Sequence, residues 1–162
     1  MKLFHRIFYH IKRLINSIMS TSYPMPAYHF IVDWGGAKTG FTEVLGLNMT
    51  HDVVDYREGN SPVDHSIKIP GRTRFDNIIL KRGITKGDTD FFKWMKTKQN
   101  SQIERRDIVI SLLDETHAPI MVWKIRNAFP VKYTGPQLQA RSSEVAIETI
   151  EIAHEGIQVE SA

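Results

Sequence analysis

From Tyr28 onward the chain alternates apolar and polar positions, the period of a β-strand. In His29–Trp34, Phe30, Val32 and Trp34 share one face. A second extended run covers Phe41–Tyr56, broken near Gly46, and a third covers Phe75–Ile84. Asp88–Lys96 departs from this pattern. It opens on an N-cap residue with acidic neighbours and sets Phe91, Trp94 and Met95 on one stripe, which predicts the main domain's single helix, over about 88–99. Ile108–Leu113 and Ile120–Ile125 carry apolar residues on both faces, as strands covered on two sides do, with a polar turn around Glu115, Thr116 and His117. In the last predicted strand, Val145–His154, Val145 and Ile147 point one way and Ile150 and Ile152 the other. Either a bulge near Glu148 and Thr149 resets the phase, or both faces meet protein. Several apolar strands with one helix make a mainly-β sandwich or barrel.

Two segments fall outside this scheme. Asp55–Arg74 is polar, rich in turn residues and long for a hairpin connection. Loops of that kind carry function more often than core, so it is the candidate intermolecular contact, with Tyr56, Arg57, Glu58, Gly59, Asp64, Lys68 and Arg72 as its contact residues. Residues 1–18 space Leu3, Ile7, Ile11, Leu14, Ile15 and Ile18 at helical intervals among Lys2, Arg6, Lys12 and Arg13. That is a short basic amphipathic helix, with no continuous apolar run for a cleaved signal or a membrane span. It suits a membrane surface or a docking partner. The preferred reading is a dispensable extension, with the working domain spanning 19–162.

Composition narrows the chemistry. With 162 residues the chain builds one domain, and with no cysteine it has neither disulfides nor thiolate chemistry. The net charge of +3 is misleading: residues 1–18 contribute four basic and no acidic side chains, leaving 17 basic against 18 acidic beyond them. A near-neutral domain lacks the footprint of phosphate-backbone binding, so no nucleic-acid partner is expected of it. Gly35-Gly36-Ala37-Lys38-Thr39 lacks the Gly before Lys that a phosphate loop needs and is read as a hairpin turn. The seven histidines form no ligand spacing, and His51-Asp52 and Asp64-His65 are strand neighbours facing opposite ways. Ser111 and Ser142-Ser143 have no nucleophile-elbow context, and Trp34, Trp94 and Trp123 read as core. No catalytic residue, metal site or cofactor is predicted.

A string of landmarks then carries a resemblance. It runs through Phe30-Ile-Val-Asp-Trp-Gly-Gly36, Phe41-Thr-Glu-Val-Leu-Gly-Leu47, Tyr56-Arg-Glu-Gly59, Lys68-Ile-Pro-Gly71 and Ile79-Leu-Lys-Arg-Gly83. It continues through Arg105-Arg-Asp-Ile-Val-Ile-Ser-Leu112, Trp123-Lys-Ile-Arg-Asn-Ala-Phe-Pro130, Glu144-Val-Ala-Ile-Glu148 and His154-Glu-Gly156. In that order, residues 19–160 resemble the tail tube proteins of contractile phages, extracellular injection particles and type VI secretion. Leu45 replaces a usual small Ser, Phe129 a frequent Trp, and residues 1–18 have no counterpart.

The resemblance implies two packed antiparallel sheets with one helix, and a structural, non-enzymatic role. Six subunits would close a ring by head-to-tail contacts, and rings would stack through the Asp55–Arg74 segment and the chain ends into a hollow tube. The implied partners are further copies of the chain, a surrounding sheath, baseplate and spike proteins, and cargo in the lumen. Assembly would be cytoplasmic, within a particle that is membrane-anchored or released. The alternatives are a tube-initiator subunit at the baseplate, a soluble β-barrel binding module or enzyme, and a membrane-associated protein acting through residues 1–18.

Overall fold

A computed structural model of the chain describes residues 24–36, 40–99, 102–141 and 143–161. The amphipathic segment 1–18 lies outside them. The described elements are β1 (Phe30–Asp33), β2 (Glu43–Leu45), β3 (Met49–Tyr56), β4 (Ile67–Phe75), β5 (Ile78–Gly83), α1 (Asp90–Met95), β6 (Arg106–Leu113), β7 (Pro119–Thr134), β8 (Ile147–Ala153) and β9 (Gly156–Ser161). Every strand pairing is antiparallel.

The long strand β7 organises the fold. Its first half lies between β6 and β9, and β6 also pairs β1. Its second half pairs β8, which continues through β5 to β2. One ladder thus folds into two sheets that remain joined at β7, and the sandwich does not close into a barrel. The bend falls at Asn127, whose φ of 51° is tolerable for Asn. Asn127 N–H donates to Asp107 Oδ1 (2.9 Å), and its amide donates to Glu155 Oε2 (2.7 Å).

The inward faces of both sheets meet in one core. Val32, Ile108, Ile110 and Ile125 come from one side and Ile78, Leu80, Ile150 and Ile152 from the other, with Trp34, Phe91 and Trp94 packed in the same cluster. Trp34 meets Phe91 edge-on at 5.0 Å, and Trp94 Nε1–H donates to Glu104 O (3.0 Å). Trp34 and Trp94 are thus buried as predicted, whereas Trp123 is only partly buried against this cluster.

Several boundaries differ from the sequence reading. The helix stops at Met95, shorter than 88–99, and the Thr97 hydroxyl turns back to donate to Trp94 O (2.7 Å). Asp88 stands one residue ahead of the N-cap Thr89, and its Oδ1 accepts from Asp90 N–H (3.0 Å). The stretch after Trp34 is not a hairpin turn: β1 pairs β6 while β2 pairs β5, so the chain crosses between sheets there. Pro70 and Gly71 argued for a loop over 55–74, but 55–56 end strand β3 and 67–74 belong to the paired strand β4, so that only 57–66 is loop. A two-stranded ribbon has free edges on both sides, which is where Pro is accepted in a strand.

The phase conflict near Glu148 also resolves. β8 pairs β5 without a break from Gly83↔Ile147 to Ile78↔Ile152, so β8 carries no bulge against it. Glu148, Ile150 and Ile152 share the core face, and Val145 is exposed ahead of the strand. The apolar alternation is interrupted because one inward position, Glu148, is a carboxylate. Strand β9 follows the corner at His154-Glu155 and lies beyond the last strand predicted, Val145–His154.

Candidate functional site

Two regions concentrate polar chemistry: a buried charge cluster and the β3–β4 hairpin. In the cluster, Arg82 is 1% exposed. Its Nε donates to Glu148 Oε1 (2.7 Å), and its terminal nitrogens reach both oxygens of Asp88 at 2.9 Å. Tyr133 O–H donates to Glu148 Oε2 (3.0 Å), and the guanidinium lies 3.8 Å from the centre of the Phe91 ring. Burial, and then the Glu148 hydrogen bond, raise the Tyr133 hydroxyl above its ordinary pKa. The cluster ties β5, β8, β7 and the start of α1 together. Largely buried and centred on one guanidinium between two carboxylates, with Asp88 Oδ2 facing Arg82 as an ion pair but without a hydrogen bond, the cluster braces these elements, and its role is structural.

The hairpin is the opposite case. β3 and β4 pack almost only on each other, and nearly all their residues are exposed. Val53 and Ile67 remain more than 60% exposed, with Val54, Ile69 and Met49 also uncovered. An isolated two-stranded ribbon is marginal in water, and bare aliphatic side chains on it mark a contact surface. Gly46 sits where the chain leaves β2 for the hairpin. Its φ is +88°, and a Cβ there would stand 2.1 Å from Asn77 O.

The predicted contact residues lie on this hairpin. Tyr56 ends β3, half exposed. Arg57 is turned inward on the loop: Nε and a terminal nitrogen donate to Val63 O (3.2 and 3.1 Å), and the latter also to Ser61 O at 3.4 Å. Glu58 O accepts from Ser61 N–H (3.1 Å) across Gly59 in the loop turn. Asp64 is exposed in the loop, and Arg72 is exposed on β4. Lys68 on β4 pairs with Asp55 on β3. That contact, helped by the Ser66 hydroxyl, lowers the Asp55 carboxyl below its ordinary pKa. Arg74 adds a second cross-strand pair to Asp52 (2.9 Å). The hairpin thus brings all seven residues onto one projecting element, but Arg57 and Lys68 already have partners within it. The aliphatic residues Val53, Val54, Ile67 and Ile69 were not among the predicted contacts. Alternation at Ile67 and Ile69 was the available signal, masked by Pro70-Gly71.

Among the described residues no group of three or more His, Asp or Glu is placed to hold a metal ion, and no helix is long and apolar enough to cross a membrane.

The model of the T4-like virus tail tube protein gp19 family matches residues 26–158. The chain belongs to this tail tube family. Solved structures agree. A chain of the PVC sheath–tube complex, an extracellular contractile injection system in its extended state, is 33% identical at a TM-score of 0.81, covering 90% of this chain and 97% of that one. A chain of the anti-feeding prophage tube terminating cap is 32% identical at a TM-score of 0.82, covering 89% and 95%. Hcp1 from Flavobacterium johnsoniae shares the fold at 20% identity and a TM-score of 0.54, covering 83% and 97%. A search of curated proteins finds no significant match. As a tail tube protein, the chain is a structural subunit of the contractile-injection type.

Proposed function

We propose that this tail tube protein forms sixfold rings that stack into the hollow inner tube of a contractile injection particle. The observation that carries the reading is the 33% identity, over nearly both whole chains, to a chain of the PVC sheath–tube complex. A sheath surrounds the tube, a baseplate and spike hold one end, and cargo travels in the lumen. The subunit performs no covalent chemistry. Assembly takes place in the cytoplasm, within a sheathed particle that is either membrane-anchored or released.

The β3–β4 hairpin makes the contact between copies, and its 57–66 loop reaches the next ring. The bare aliphatic residues of the ribbon supply the apolar part of that contact. Glu58, Asp64 and Arg72 supply exposed charge, and Arg57 holds the loop in shape. Exposed ion pairs are individually worth below about 1 kcal/mol, so stacking should weaken with salt while rings persist.

Negative-stain microscopy of the purified protein tests this directly, with rings at low and tubes at high concentration as the expected result. A strict monomer by light scattering at every concentration and salt would overturn it. Copy number in isolated particles separates the main tube subunit from a specialised copy at the baseplate end.

A further inference from the structure

Between the edge strands β1 and β2, where the sheets do not close, lies an apolar groove of about 380 Å³. Its walls include Met25, Phe30, Val44, Leu47, Leu112 and Trp123. We infer that residues 1–18 of the same chain seat their apolar stripe in this groove and cover the open side of the sandwich. This inference does not depend on the tube reading.

Three observations point to this occupant. The first is continuity: Met25 and Ala27, close in sequence to the segment, line the groove. Six residues lie between Ile18 and Met25, and an extended link across them reaches at most about 25 Å, which keeps Ile18 within that distance of this opening. The second is pattern. Leu3, Ile7, Ile11, Leu14, Ile15 and Ile18 form a stripe along one helical face, and such a face gains by burial against an apolar groove. The third is charge. The segment carries four basic and no acidic residues, while the rest of the chain has one more acidic than basic side chain. Glu43 on the groove wall is half-exposed and paired with Lys81 (2.7 Å). Docking within one chain costs no translational freedom, so a modest apolar contact suffices.

The absence of cysteine makes the test clean. Ile15→Cys combined with Leu47→Cys in the full chain is treated with a short bismaleimide. A control combines Ile15→Cys with Lys124→Cys, on the opposite face of its sheet. The expected result is a cross-link within one chain, in several-fold higher yield than the control. Adding Ile11→Asp and Leu14→Asp should bring that yield down to the control level with the melting temperature of the domain unchanged. Equal yields at Leu47 and Lys124 would show that the segment does not sit in the groove. Products linked only between chains would assign the groove to a second copy. Co-flotation of the full chain with anionic vesicles, with no groove cross-link in their absence, would assign the segment to a lipid surface. Any of these three outcomes overturns the inference.

Discussion

Strands β4 and β5 are separated only by Asp76 and Asn77 and carry similar aliphatic residues, yet they end in opposite environments. Ile78 and Leu80 on β5 are fully buried, whereas Ile67 on β4 is 64% exposed. β5 has β8 and β2 on its two edges and the facing sheet over its inner side, while β4 has only β3. Local pattern makes a strand in both cases; cover decides which strand is core. Burying an aliphatic side chain is worth about 1.5–3 kcal/mol. β5 collects that gain within one subunit, and the hairpin collects it only against another molecule.

The sharpest way to break this contrast is at the charge cluster. Arg82→Leu leaves Glu148 and Asp88 buried without their cation, and we expect a loss of about 3–5 kcal/mol in urea unfolding. A loss below about 1 kcal/mol would show that the cluster is incidental to the core.

The junction between the regions comes next. Gly46→Ala combines an unfavourable backbone conformation with a clash on Asn77 O, and should cost more than about 1 kcal/mol. Because Gly46 aims the chain from β2 into the hairpin, assembly should suffer together with stability. Unchanged melting and assembly would mean that the turn relaxes freely.

On the hairpin the order of effects reverses. Val53→Ala with Ile67→Ala should change the stability of the isolated subunit by less than about 0.5 kcal/mol, because little is buried there, while lowering the yield of assembled particles in microscopy. Arg57→Ser with Glu58→Ser should shorten tubes with little change in melting temperature. Since Arg57 braces the carbonyls of Ser61 and Val63, Glu58→Ser alone should have the milder effect. Normal tubes from the double variant, or lost rings, would place the stacking contact elsewhere.

The smallest effect is the response to acid. The Asp55 carboxyl is lowered by Lys68 and Ser66. Its contribution to the hairpin is therefore complete above the ordinary Asp range and is lost as pH falls through its lower folded value. Backbone chemical shifts of Val54 and Ile69 should move in that window while those of Ile78 and Leu80 stay fixed. Lys68→Ala should bring the transition toward the ordinary Asp value. A transition in the core shifts at the same pH would mean that hairpin and sandwich unfold together.

The sequence by itself determined the mainly-β class, the positions of most strands, the helix around Phe91 and Trp94 and the burial of Trp34. These rest on local side-chain period, which neighbouring residues set whatever the rest of the chain does. The ordered landmarks from Phe30 to Gly156 likewise pointed to the tail tube family before any contact was known.

Tertiary structure decided the rest. Glu148 reads as a break in a strand until Arg82, 66 residues away, comes within hydrogen-bond range and makes an inward carboxylate tolerable. Pro70 and Gly71 read as a loop until β3 supplies a partner and a free outer edge admits the proline. That β1 and β2 join different sheets, and leave a groove between them, depends on which strands pair at long range. Pairing is a choice among distant partners made by total burial and hydrogen-bond satisfaction, and no local period encodes it.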